Sequence, residues 1–162
     1  PLLQNCTVPP VPDERVCYAL GRALGEAIRT RLPDGLRVGL FGSGGLSHEP
    51  GGPRYLEIDE KFDRWWMDLL VEGDHERVLA EATFEAMERA GSGGTAELLS
   101  WIVVMGAIGP RPCRNLGYAA VDQWRCAFGA VRWVRKKTPR SSRPSAMDCT
   151  IGLACSPRRV RA

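Results

Sequence analysis

The sequence predicts an α/β domain, a sheet flanked by helices, and three observations support this class. Several stretches carry apolar residues at helical spacing. A short apolar strand follows the first of them and runs into a glycine-rich turn. A later stretch, Leu116 to Val131, has the aromatic and β-branched content of one or two short strands. With 162 residues the chain can bury one core, and 44% hydrophobic against 25% charged residues is the balance of a globular protein.

Leu2-Leu3-Gln4-Asn5-Cys6 reads as the end of a strand entered midway. The chain opens without Met and without a basic-then-apolar leader pattern, so the domain is expected to be incomplete at its N-terminus. Val8-Pro9-Pro10-Val11-Pro12 excludes regular helix and predicts an extended loop. Asp13 then suits an N-cap, and Val16, Leu20, Leu24, Ala27 and Ile28 outline the apolar face of a helix over 13–30. Pro33-Asp34-Gly35 is a turn, Leu36 to Phe41 a strand, and Gly42-Ser43-Gly44-Gly45 ends it. Residues 59–71 predict a helix faced by Phe62, Trp65, Trp66, Leu69 and Leu70. Residues 76–89 predict another, stopped by Gly91, and Thr95 is placed to cap an apolar helix running through Trp101 and Met105. Beyond Trp133 the apolar periodicity stops. The expected organisation is a domain over 1–131 and a basic, Pro- and Ser-rich tail without regular structure over 132–162.

The net charge of +3 conceals a split. Nine Lys and Arg fall in 132–162 against the single acid Asp148, leaving 13 basic and 18 acidic residues in 1–131. The basicity belongs to one terminal segment, so nucleic acid is not expected as a partner for the body of the chain. There is no apolar run of about 18 residues, so no membrane-spanning helix is expected. The six cysteines show no CxxC pair and no finger-like spacing, and read as reduced thiols of a cytoplasmic protein.

Gly42-Ser43-Gly44-Gly45-Leu46-Ser47-His48 permits three chemistries. Phosphate cradling needs a third glycine and a helix start, where this sequence has neither. A Ser47 nucleophile needs a base in contact, and adjacency in sequence does not provide one; the segment is not G-x-S-x-G. The third is an imidazole held at the end of a strand by a glycine turn, where open sheets place ligands and where a histidine can move protons near neutral pH. The plain alternative is a His48 that merely ends a strand and packs on Trp65 or Trp66. Glu97 lies among apolar neighbours, where a carboxylate is costly unless paired or metal-bound. A solvated helix-start acid explains it equally simply. His75, in Gly73-Asp74-His75-Glu76, reads as a solvated cap residue, and Asp63 and Arg64 as partners for charge or as exposed helix charges.

Taken in order, these blocks resemble one family. Asn5-Cys6, Pro9-Pro10-Val11-Pro12 and Arg15 to Gly21 are similar to the middle region of class III extradiol ring-cleavage dioxygenases, the protocatechuate 4,5-dioxygenase beta-subunit type. Gly44-Gly45-Leu46-Ser47-His48 resembles their S-G-G-L-S-H motif, Phe62-Asp63-Arg64-Trp65 their F-D-R-W/F helix, and Glu97 to Trp101 their E-x-x-x-W helix. The resemblance covers about residues 2–131. It implies a subunit-B-like α/β fold and an iron(II) enzyme that opens a catechol-type ring with O2, as a homo-oligomer or with a small partner subunit. It implies that His48 is the acid–base group and Glu97 a ligand to the iron, with Ser47, Gly45 and Trp65 as substrate-pocket candidates. The family's two other ligands are histidines N-terminal to this region. This chain has only His48 and His75, so it is expected to be catalytically incomplete by itself.

Overall fold

The computed structural model describes residues 1–34, 36–133 and 147–152, the last as backbone alone. Residues 2–6 form no strand, contrary to expectation, and the Pro9–Pro10 bond that follows is cis. Helix α1, Glu14–Arg31, starts where Asp13 accepts the Val16 N–H at 2.7 Å. Strand β1, Val38–Leu40, leads into a helix-free segment that lasts until α2, Glu60–Glu72, whose N-cap is Asp59.

The helix expected over 76–89 is two. Helix α3, His75–Glu81, ends at Ala82, and α4, Phe84–Ala90, starts anew because Thr83 accepts the Ala86 N–H. A local side-chain acceptor here competes with continuation of the helix. A 3-10 turn, Thr95–Leu98, precedes α5, Leu99–Ile108. Strands β2, Cys113–Val121, and β3, Cys126–Trp133, form the antiparallel hairpin that the composition of 116–131 predicts, turned at Asp122–Trp124.

The sheet has the order β1-β4-β3-β2. Strand β4, Met147–Gly152, pairs parallel to β1 and antiparallel to β3, so the sheet is mixed. This strand corrects the expectation of a tail without regular structure for these residues; 134–146 and 153–162 lie outside the described residues. Helix α2 packs on β2 and β3, and α5 on β4.

In α5 every residue except Ser100 is buried, the pattern of a helix surrounded by its own protein. Its long partner is α1. That contact corrects the face expected for α1: Val16 is 55% exposed and Leu20 42%, while Cys17, Gly21 and Gly25 are buried. A Cβ at Gly21 would lie 2.0 Å from Val103 O, one at Gly25 2.2 Å from Ala107 O, and one at Gly106 2.2 Å from Tyr18 O. The two backbones touch along a stripe of missing side chains, and Val16 and Leu20 are left on the exposed side. Trp66 and Trp101, both fully buried, meet at 6.3 Å between ring centroids in the main core with Leu46, Met67, Leu98 and Val131.

Candidate active site

Residues 43–45 are held by the 3-10 turn Thr95–Leu98 and the first turn of α5. Gly45 N–H donates to Glu97 Oε2 at 2.7 Å, Ser100 Oγ to Ser43 C=O at 2.8 Å, and the Trp101 indole N–H to Gly44 C=O at 3.2 Å. Glu97 and Trp101 are four residues apart, so one helical face reaches two adjacent loop residues. Thr95 makes no cap hydrogen bond to the 3-10 turn, contrary to expectation; its hydroxyl accepts the His48 N–H at 3.3 Å.

His48 is half-buried. Its Nδ1 lies 2.8 Å from Leu46 O, and since a carbonyl only accepts, Nδ1 carries the proton. Nε2 has no hydrogen-bond partner among the described residues. The ring lies on two glycines: a Cβ at Gly45 would meet Cε1 at 2.1 Å, and one at Gly94 would meet Nε2 at 2.8 Å. Gly45 thus touches both candidate groups, Glu97 through its N–H and His48 through its α-carbon. Bridging those contacts with the N–Cα–Cβ span of about 2.5 Å bounds the Glu97 Oε2 to His48 Cε1 separation at about 7.3 Å. The imidazole and the carboxylate, 49 positions apart in sequence, are neighbours.

The other candidates are placed differently. Ser47 is fully buried, its Oγ accepting the Asp59 N–H at 2.8 Å, which removes it from any nucleophilic role. Trp65 is half-buried against Phe62, with ring centroids 5.3 Å apart. A cleft of about 610 Å³ opens beside Glu97, walled by Leu2, Leu3, Leu40, Phe41, Val103 and Val104 among others; its lining reaches Gly44 but includes none of Gly45, Ser47, His48 or Trp65. No helix begins at Ser47, so the glycines have no helix N-terminus to present to a phosphate, and the nucleotide-binding alternative is set aside.

Two titratable groups depart from their sequence reading. Asp63 is fully buried and accepts the Ser47 N–H at 2.7 Å through Oδ1 and the Tyr118 hydroxyl at 3.2 Å through Oδ2. Burial pushes its carboxyl up to about 6, against the pull of these donors and of the Ser47 hydroxyl, with Asp59 adding to the rise. His75 is 4% exposed, which corrects the solvated-cap reading. Its Nδ1 is 2.9 Å from the Tyr18 hydroxyl, and Nε2 has no partner among the described residues. Burial first, and Arg111 next, lower its pKa to about 4, opposed by Asp74. The missed signal was periodicity: Asp63 shares a stripe with Trp66, Met67 and Leu70, and His75 one with Val78, Leu79 and Ala82.

Glu49, next to His48, is buried and receives the Arg54 guanidinium at 2.9 Å and the Ser92 N–H at 3.4 Å. Burial works to raise its pKa; the Arg54 and Ser92 N–H groups and the guanidinium outweigh it and hold it low. No group of three His, Cys, Asp or Glu close enough to hold a metal occurs among the described residues. Cys6, Cys17 and Cys113 are free thiols, raised by burial to about 11, 12 and 12. No helix of the described residues is long and apolar enough to cross a membrane.

A family profile described as the catalytic LigB subunit of aromatic ring-opening dioxygenase matches residues 1–133. A gallate dioxygenase of Pseudomonas putida is 35% identical over 99 residues, 61% of this chain and 28% of that protein. A 2,3-dihydroxyphenylpropionate/2,3-dihydroxicinnamic acid 1,2-dioxygenase of Burkholderia vietnamiensis is 26% identical over 185 residues, 85% of this chain and 56% of that protein. One of the same description from Dechloromonas aromatica is 24% identical over 177 residues, 81% and 55% of the two chains. At most, then, the chain spans little more than half the length of these relatives.

Proposed function

From the premise that this chain belongs to the family of catalytic LigB subunits of aromatic ring-opening dioxygenases, we propose that it carries the proton-transfer half of an extradiol ring-cleavage site for a catechol-type aromatic. One observation carries this reading: His48 and Glu97 converge on Gly45, one by ring contact and the other by hydrogen bond. A diol must lose a phenolic proton before its ring can be attacked. An imidazole protonated at Nδ1 and unpartnered at Nε2 is ready to accept that proton and later return it. The cleft beside Glu97 has Leu40, Phe41 and Val103 in its wall and reaches Gly44, the neighbour of the glycine on which His48 rests. The named relatives act on gallate or dihydroxyphenyl compounds, which supports a vicinal diol as substrate.

Iron(II), implied by the family resemblance, would supply a Lewis-acid centre for the diol oxygens and for dioxygen. The residues at hand do not make such a centre. Glu97 offers one carboxylate with Oε2 already engaged by Gly45, and His75 is sealed against Tyr18. A face of two imidazoles and a carboxylate is not assembled among the described residues, so no step is routed through the metal. Glu97 as a metal ligand, a cytoplasmic location, and a homo-oligomer or small partner subunit belong to the same proposal.

The test is iron(II) titration together with catechol-dependent oxygen uptake, on this chain and on any longer product of the same reading frame. Ring-opened product that disappears in His48→Ala supports the reading. Full turnover in that variant sinks it.

A further inference from the structure

We propose that the peptide joining Leu46 to Ser47 relays a hydrogen-bond chain from Asp63 to His48, making Asp63 the positioning residue that keeps the His48 proton on Nδ1 and Nε2 open. The proposal rests on His48 being the acid–base group. The two ends of one peptide unit carry it. Leu46 C=O accepts from His48 Nδ1 at 2.8 Å, and the N–H on the opposite edge of the same planar group, that of Ser47, donates to Asp63 Oδ1 at 2.7 Å. The run carboxylate, N–H, C=O, imidazole N–H is therefore continuous, and bonds in such a chain polarise one another.

Everything around Asp63 serves to fix that peptide. The Ser47 hydroxyl lies on the same carboxylate and also accepts the Asp59 N–H, tying the peptide to the first turn of α2. Tyr118 donates from β2 to the other carboxylate oxygen, with the Arg64 guanidinium 4.6 Å over its ring. The charged and titratable groups that face Asp63 are Asp59, the N-cap of α2, and Tyr118 from the sheet; Arg64 and Glu60 of α2 act on Tyr118. A fully buried carboxylate is costly unless its lone pairs are used, and here its two oxygens hold the loop and the strand. A carbonyl left free to turn would release Nδ1, and an imidazole with both nitrogens in water exchanges between its two tautomers.

Long-range 1H–15N spectra of the 162-residue chain, labelled at histidine and recorded at pH 8, read the tautomer of each ring. At that pH Asp63, with a pKa near 6, is ionised. Wild-type His48 is expected as a single Nδ1–H species. Asp63→Ala converts it to an averaged mixture, and Asp63→Asn, which keeps an oxygen for the Ser47 N–H, restores the single species. His75 of α3, held by Tyr18 of α1, stays unchanged and reports an intact fold. If Asp63→Ala does not fold, Asp63→Leu fills the buried space without an acceptor and is read in the same way. A His48 still locked as Nδ1–H without an acceptor at position 63, or already mixed in the wild type, overturns the proposal.

In the form that turns over, Asp63→Ala should lower kcat by about 10- to 100-fold, as for other groups that orient a histidine, with KM within about twofold. An unchanged kcat there, beside an inactive His48→Ala, also overturns it. A fully active His48→Ala would instead sink the acid–base reading and leave the tautomer result standing.

Discussion

The imidazole of His48 rests on the α-carbons of Gly45 and Gly94, so the smallest substitutions there have large consequences. In Gly45→Ala the new methyl would occupy space 2.1 Å from Cε1. The ring must swing aside, and misplacement by about 1 Å can cost on the order of 10²-fold in rate; oxygen-uptake kinetics of the variant check this. His48→Ala should lower turnover by roughly 10²–10⁴ without loss of fold, as for a general acid–base group, read by the same assay beside a thermal melt. His48 and Glu97 were legible in the sequence because each sits inside a recognisable block. The burial of Asp63 and His75 was not, because Asp63 beside Arg64 reads as an exposed helix charge and His75 stands in the polar run Gly73-Asp74-His75-Glu76. Helical spacing marks both as facing the core, but not the partners that satisfy them there: Ser47 and Tyr118 for Asp63, Tyr18 for His75.

Among the elements, α1 and α5 show how a periodic pattern can mislead. The apolar positions of α1 mark a real stripe, yet the buried contact runs through Cys17, Gly21 and Gly25 one position away. Backbone contact at a glycine seam brings helix axes closer than Leu and Val would allow. Gly25→Ala puts a methyl 2.2 Å from Ala107 O, a backbone atom that cannot step aside. The expected loss is roughly 1–3 kcal/mol of stability, as for overpacking, measured by urea denaturation. A comparable loss from Leu20→Ala, on the exposed side, would contradict this assignment of faces. The split between α3 and α4 was hidden for a different reason. Residues 76–89 have acceptable helix propensity throughout, and only the Thr83 acceptor breaks the run.

For the whole molecule, the sheet was the least legible feature. Its hairpin followed from composition, whereas β4 falls in a segment without apolar periodicity and takes its place between β1 and β3 only through long-range pairing. Two buried titrations set opposing pH slopes on stability. His75 has its pKa lowered from 6.5 to about 4, so its contribution is full above pH 6.5 and is lost as pH falls toward 4. Asp63 has its pKa raised from 3.8 to about 6, so its contribution is full below pH 3.8 and is lost as pH rises through 6. Between pH 4 and 6 the two oppose each other. Urea midpoints should therefore tilt toward greater stability at pH 5 than at pH 7 in His75→Gln, and the other way in Asp63→Asn. Each effect is bounded at roughly 3 kcal/mol.

The grip of Glu97, Ser100 and Trp101 on residues 43–45 has a consequence for motion. A stretch so rich in glycine would ordinarily exchange its amide protons within the surface class. Here the Gly45, Ser47 and His48 amides are tied to side chains of buried elements, and they should exchange with the slow class of α5. The stretch then cannot act as a flap. A reactant arriving at His48 meets groups already arrested in place, and association surrenders little further ordering entropy at that wall.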